Sequence, residues 1–195
     1  MQKWKKIRNI VCIQILAIVA ILASPQNSSA QISQADTPQN ESGISQPTYT
    51  VVSCNDGDTC KLKAPDNAQI KVRLVGIDAP ESAMNRGKKK KEGQPGAQEA
   101  KSYLNTLLVG KTVTLRGYGT DMYGRNLAEI VINNESANLK MVTEGWAEVY
   151  RGKAPTNLDI NSFESAENEA RKAKRGIWSM PGYESPKSWR KRQRN

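Results

Sequence analysis

Hydrophobic and polar positions begin to alternate at Thr48. TYTVVSC (48–54) is rich in β-branched and aromatic residues, NDGDT (55–59) is a turn-forming stretch, and CKLK (60–63) resumes the strand pattern. QIKVRLVGI (69–77) follows, with Ile70, Val72 and Leu74 alternating against Lys71 and Arg73. These three segments predict an antiparallel meander. KTVTLRGYG (111–119) and LAEIVI (127–132) predict two further strands joined by the hairpin loop TDMYGR (120–125).

Helical spacing appears between and after the strands. AQEAKSYLNTLL (97–108) places Ala97, Ala100, Leu104, Leu107 and Leu108 on one face, with Gly110 as a stop just past the helix. ANLKMVTEG (137–145) predicts a short helix closed by Gly145, and WAEVY (146–150) a short extended piece. SFESAENEARKAKRG (162–176) predicts a third helix with Phe163, Ala166, Ala170 and Ala173 inward and Gly176 as its terminating glycine. Five strands and three helices sum to an α+β domain on an antiparallel, barrel-like sheet. Residues 82–96, rich in Gly and Lys, form a surface loop between the first and second groups of elements.

The ends of the chain follow other rules. Residues 1–30 have the three-part layout of a secretory signal peptide: four basic residues, a 14-residue apolar run, and Ser28-Ser29-Ala30 at the cleavage point. The run is shorter than the roughly 20 residues of a membrane span. An uncleaved N-terminal anchor is the alternative. Cys12 lies inside the run, which argues against a lipoprotein-type cysteine. Residues 31–47 are polar and aperiodic and predict a disordered linker. The main domain then spans 48–180, and 181–195 is a basic C-terminal tail.

Charge sharpens this division. The formal net charge is +10, but residues 31–170 hold 16 basic and 18 acidic side chains, whereas 171–195 hold nine basic and one acidic. A second basic block is Arg86-Gly87-Lys88-Lys89-Lys90-Lys91. Such blocks favour a polyanion, either nucleic acid or anionic lipid, against the plainer alternative of a solvated charge run. The tail is expected to add affinity and salt sensitivity without taking part in chemistry. There is no histidine. Ser/His and Cys/His nucleophile pairs and histidine zinc sites are therefore excluded. Chemistry is left to carboxylates, Arg, Lys, Tyr or a hard metal ion.

Three constellations fit that restriction. Asp56-Gly57-Asp58-Thr59 sits in the first hairpin, where Gly permits positive φ and Asp is an ordinary turn former. Arg73, Asp78 and Glu81 fall within nine residues at the end of the third strand. Carboxylate and carbonyl oxygens suit Ca²⁺, which takes about 6–8 oxygens at roughly 2.3–2.6 Å; an exposed salt-bridged turn is the alternative. Asp121-Met122-Tyr123-Gly124-Arg125 carries an arginine whose planar fork matches phosphate oxygens, or serves as a common surface residue. One metal, two arginines and a free carboxylate would together supply phosphodiester cleavage with charge neutralisation, activated water and leaving-group stabilisation.

NDGDT, RLVGIDAPE and TDMYGR, in this order, resemble the staphylococcal nuclease (thermonuclease) family, with support from GAQEAKSYL, EGWAEVY and AENEARKAKRGIW. The resemblance covers roughly Thr48 to Trp189. It implies a five-stranded OB-type barrel with three helices. It also implies a secreted bacterial nuclease that uses one Ca²⁺ ion to hydrolyse DNA and RNA at the P–O5′ bond, leaving 3′-phosphates. Asp58 and Asp78 match the calcium carboxylates, and Ala79 the backbone-carbonyl ligand, where the best-known member has Thr. Arg73 and Arg125 match the phosphate-binding catalytic arginines, and Glu81 the carboxylate acting as general base. Asp56 matches an acid behind the metal ligands. Tyr123 and Tyr150 match nucleotide contacts, and Lys88 and Lys89 of the basic block are further substrate contacts. Met122 departs from the pattern, since the best-known member has a substrate-binding Lys there.

The expected substrate is DNA or RNA, preferably single-stranded. The expected protein is a monomer without stable membrane association after cleavage, located in the medium, the periplasm or the cell surface. A non-catalytic nucleic-acid or polyanion-binding module on the same fold is the alternative, and a membrane-surface anchor through the lysine block a weaker one. Independently of the resemblance, symmetric pairing about the first turn sets Cys54 opposite Cys60 at a separation that a disulfide accepts. Export would favour that bond. Two small buried thiols are the alternative.

Overall fold

The computed structural model describes residues 46–86 and 89–194. The signal and most of the linker expected at residues 1–47, and Lys88, lie outside the described residues, and of the Lys89 side chain nothing is described. The strands are β1 (Thr48–Cys54), β2 (Thr59–Lys63), β3 (Gln69–Leu74), β4 (Ile77–Asp78), β5 (Met84–Arg86), β6 (Lys89–Lys91), β7 (Thr112–Thr120), β8 (Asn126–Ile132), β9 (Glu135–Ser136) and β10 (Glu148–Val149). The helices are α1 (Ala97–Leu108), α2 (Ala137–Thr143), α3 (Ile160–Lys172) and α4 (Pro186–Arg192), with a 3₁₀ turn at Gly176–Ser179.

Five long strands close into a barrel in the order β3-β2-β1-β7-β8, and β3 pairs back onto β8. The barrel is mixed and not wholly antiparallel as expected. Every sequential neighbour is antiparallel, so with an odd number of strands the closing pair must run the same way. β3 and β8 are indeed parallel, with Arg73 opposite Leu127. Inward positions of the alternating strands fill the interior: Val51, Leu62, Val72, Leu74 and Ile130 are fully buried. α1 closes one side through Ala100, Leu104 and Leu108, and Met141 of α2 and Phe163 of α3 complete the core. Buried Asn138 of α2 accepts from the Ile130 amide (3.1 Å) and donates to the Val75 (2.9 Å) and Ala128 (3.0 Å) carbonyls. It thereby fastens α2 beside the barrel's closing seam.

Three local expectations change. The helices number four, because α4 forms in the stretch expected to be a tail; Ser185 caps it, Pro186 takes its first turn, and Trp189 is buried. α3 starts two residues earlier, capped by Asp159, and Ala173 is exposed. The left-handed residue that terminates α3 is Lys174 (φ 52°), while Gly176, also left-handed at φ 53°, lies beyond the helix end. Gly176 also serves a close approach, since a Cβ there would collide with the Gly145 carbonyl. Residues 82–96 are not a bare loop but carry the β5–β6 hairpin. Among the described residues, no helix is long and apolar enough to cross a membrane.

Candidate active site

The barrel places the first hairpin, the end of β3 and the β7–β8 hairpin around one cleft of about 590 Å³. Thr59 and Arg73 are register partners on β2 and β3, so Asp58 enters the cleft beside Arg73. Asp58 Oδ2 accepts from Arg73 Nη1 at 2.7 Å and from the Ala79 amide at 3.1 Å. Its Oδ1 accepts from the Thr59 hydroxyl at 3.1 Å. Asp78, at the end of β4, lies 3.5 Å from Arg73 Nη2. Arg73 therefore bridges two nearly buried carboxylates.

Gly57 holds this corner together by size. A Cβ there would lie 2.6 Å from the Ala79 Cβ and 3.0 Å from that of Ala100. Positive φ, the role expected from sequence, is not adopted by Gly57. Cys54 and Cys60 are Cα partners across the hairpin, and their sulfurs are bonded. The Asn105 amide bonds both backbone groups of Cys54, at 3.1 and 3.0 Å, which anchors the hairpin to α1. Asp56 accepts the Asp58 amide at 3.1 Å. Burial pushes its carboxyl up to about 7, and the Asp58 charge adds to this.

The rim is built differently. Asp121 accepts from the Tyr123 and Arg125 amides, both at 2.9 Å, and from Arg125 Nε at 2.6 Å. One aspartate thus shapes the loop and aims its arginine. Arg125 Nη1 also reaches Thr59 Oγ1 at 3.4 Å, which links rim to floor. Tyr123 is 77% exposed and Tyr150 44%, and both line the cleft. The Arg125 guanidinium lies 5.7 Å from the centre of the Tyr123 ring. Among the described residues, Lys90 and Lys91 of the β5–β6 hairpin do not line the cleft.

Three participants were given no role by the sequence. Asp121 was visible within its loop but had no assigned task. Glu148 of β10 pairs with Asp78 in register. Burial raises its carboxyl to about 7, with the Asp78 and Glu167 charges adding to the effect. Tyr183 donates to it at 3.4 Å. Arg190 of α4 is the largest surprise. Its Nη1 and Nη2 bond the two Asp78 oxygens at 2.9 and 2.7 Å, and Nη1 bonds Glu81 Oε1 at 2.6 Å. A residue of the expected tail thus contacts two of the candidate site's carboxylates.

The donor set suits a hard cation: carboxylate oxygens from Asp58 and Asp78, with the Ala79 carbonyl adjacent in the chain. Two guanidinium groups already gather on these carboxylates, which marks the place as one that attracts positive charge. Among the described residues, no three His, Cys, Asp or Glu side chains converge as ready-made metal ligands. The carboxylates converge on arginines instead.

Barrel, flanking helices and cleft together form an OB-type α+β domain. Residues 71–180 match the family described as staphylococcal nuclease homologue, and the chain belongs to that family. An uncharacterized endonuclease of Haemophilus influenzae is 31% identical over 147 residues, covering 75% of each chain. A probable staphylococcal-like nuclease of Oryza sativa subsp. japonica is 32% identical over 156 residues, covering 79% of this chain and 36% of its own. An uncharacterized 38.1 kDa protein of Capnoides sempervirens is 36% identical over 141 residues, covering 69% and 37%. This chain thus spans little more than a third of the length of these two plant relatives.

Proposed function

We propose that this protein is a calcium-dependent nuclease that hydrolyses DNA and RNA at the P–O5′ bond and leaves 3′-phosphates. The observation that carries the reading is the convergence of Arg73 and Arg125 with Asp58, Asp78 and Glu81 on one cleft. In this reading, Asp58, Asp78 and the Ala79 carbonyl hold one Ca²⁺, and Asp56 supports Asp58 from behind. When bound, the ion supplies fixed positive charge beside the phosphate. Arg73 and Arg125 bind the non-bridging phosphate oxygens and stabilise the charge that builds on them in the transition state. Glu81 accepts a proton from the attacking water as its oxygen bonds to phosphorus. The P–O5′ bond breaks, and the departing oxygen takes up a proton to become the 5′-hydroxyl.

The exposed rings of Tyr123 and Tyr150 offer stacking surfaces for unpaired bases, which favours single-stranded substrate. Lys88 and Lys89 of the basic block Arg86–Lys91 are proposed to draw in the backbone electrostatically. The proposal includes export to the medium, periplasm or cell surface through residues 1–30, and action as a monomer free of the membrane. The Cys54–Cys60 bond supports an oxidising location. Digestion of single-stranded DNA and of RNA in Ca²⁺, followed by analysis of the new ends, tests the cleavage chemistry. New 3′-phosphates and 5′-hydroxyls are expected. 5′-phosphates would refute the assigned bond, and intact substrate bound without turnover would favour the non-catalytic module.

A further inference from the structure

We infer that Arg190 is a built-in counter-cation of the active site, which occupies Asp78 and Glu81 until a divalent cation displaces it. The inference rests on the calcium-dependent reading above. Three carboxylate oxygens are held by one guanidinium: Asp78 Oδ1 at 2.9 Å, Asp78 Oδ2 at 2.7 Å and Glu81 Oε1 at 2.6 Å. Ca²⁺ requires oxygen lone pairs at roughly 2.3–2.6 Å. A dication on Asp78 would lie against a guanidinium that already holds both of its oxygens, so the two cations repel and each weakens the other's hold. Glu81 is likewise engaged, its Oε1 bonded by Arg190 Nη1. The closed arrangement therefore opposes loading of the site.

Arg190 is aimed by the fold. Buried Gln94 accepts the Glu81 amide through Oε1 at 3.2 Å and donates to the Glu184 carbonyl through Nε2 at 2.5 Å. The same side chain thus fixes the loop bearing Glu81 and the approach to α4. Trp189 is buried beneath the helix, with the Arg192 guanidinium 4.3 Å from its ring centre. Arg192 in turn bonds Glu184 at 2.9 Å. Lys187 and Lys191 of the same helix are exposed, so the charge turned into the cleft is selected by position. Release is also provided for. α4 has seven residues, too few to be stable alone, and is preceded by exposed Pro181 and Gly182. Gly182 has φ +67° and no atom within 4 Å of the place a Cβ would take.

The test is calorimetric titration with Ca²⁺ of the purified protein and of Arg190→Gln and Lys191→Gln, each checked for folding by thermal denaturation. Arg190→Gln should bind Ca²⁺ at least about tenfold more tightly, the scale of losing charge-assisted hydrogen bonds. Lys191→Gln removes the same charge from the same helix without touching Asp78. It should change affinity less than about threefold. In the unsubstituted protein, Ca²⁺ should also speed tryptic cleavage within residues 186–194. Unchanged or weaker Ca²⁺ binding by Arg190→Gln, or an equal gain in Lys191→Gln, would overturn this inference while leaving the calcium reading intact. Absence of Ca²⁺ binding in all three proteins would overturn both.

Discussion

The floor and the rim of the cleft carry one proposed phosphate-binding arginine each, and they are constructed on opposite principles. On the floor, Arg73 lies between Asp58 and Asp78, nearly buried and held by residues from β1–β2, β3 and β4. On the rim, Arg125 is aimed by Asp121, four residues away, within one exposed hairpin loop. The floor depends on barrel closure, the size of Gly57 and the anchoring of the Cys54–Cys60 hairpin. The rim depends on a single aspartate. A site that must concentrate like charges needs a rigid, long-range scaffold. A site that must admit a polymer gains from a locally organised edge.

The largest effects should come from removing either arginine. Arg73→Ala and Arg125→Ala should each lower kcat by about 10²–10³, as expected for loss of a transition-state donor. Stability should separate them. Arg73→Ala leaves Asp58 and Asp78 without their shared partner and should cost about 3 kcal/mol in chelator, with recovery on adding Ca²⁺. Arg125→Ala should cost no more than about 1 kcal/mol. Denaturant titrations with parallel kinetics check both. Equal stability losses would erase the distinction between floor and rim, and a change in KM alone would contradict a transition-state role.

A smaller effect belongs to the rim. Tyr123→Ala should raise KM for single-stranded DNA about fivefold or more, the scale of losing one stacked base, with kcat little changed. Steady-state kinetics on a short oligonucleotide reads this directly; a fall in kcat at constant KM would place the ring in the chemistry instead.

The smallest belongs to the floor and to pH. Glu148 keeps its proton to about pH 7 when folded, against an ordinary value of 4.5. Between those values the folded state binds more protons than the unfolded state, so stability in chelator should fall as pH rises through this window and level off above it. Glu148→Gln should flatten that part of the profile, leaving the smaller slope due to Asp56, whose carboxyl is raised in the same direction. An identical profile in the variant would show that Glu148 ionises normally.

Much of this was legible because it is local. α1 spans the residues its periodicity predicts, and all five barrel strands fall where alternation places them. The floor's expected charged residues, Asp56, Asp58, Arg73, Asp78 and Glu81, lie within two short stretches, 56–59 and 73–81, so their grouping follows once two hairpins are drawn. Parallel closure was missed because it links β3 to β8 across more than fifty residues, although an odd strand number demands it. Arg190 was missed for a related reason. It lies 109 residues from Glu81, in a run where Lys187, Arg190, Lys191, Arg192 and Arg194 hide any periodicity. Two signals were present. Ser185-Pro186 is a helix start, and Trp189 is an aromatic with no place in a solvated tail. Gly57 was assigned to turn geometry because sequence gives no view of the Ala79 Cβ that it must clear.

The central claim, a nuclease whose chemistry depends on a cation held by Asp58 and Asp78, is tested most directly by the rate of single-stranded DNA hydrolysis in Ca²⁺ and in excess chelator at equal ionic strength. Rapid hydrolysis in Ca²⁺, lost in chelator and restored when Ca²⁺ is returned, is the expected result. Equal rates in both solutions, or no hydrolysis in either, would contradict it.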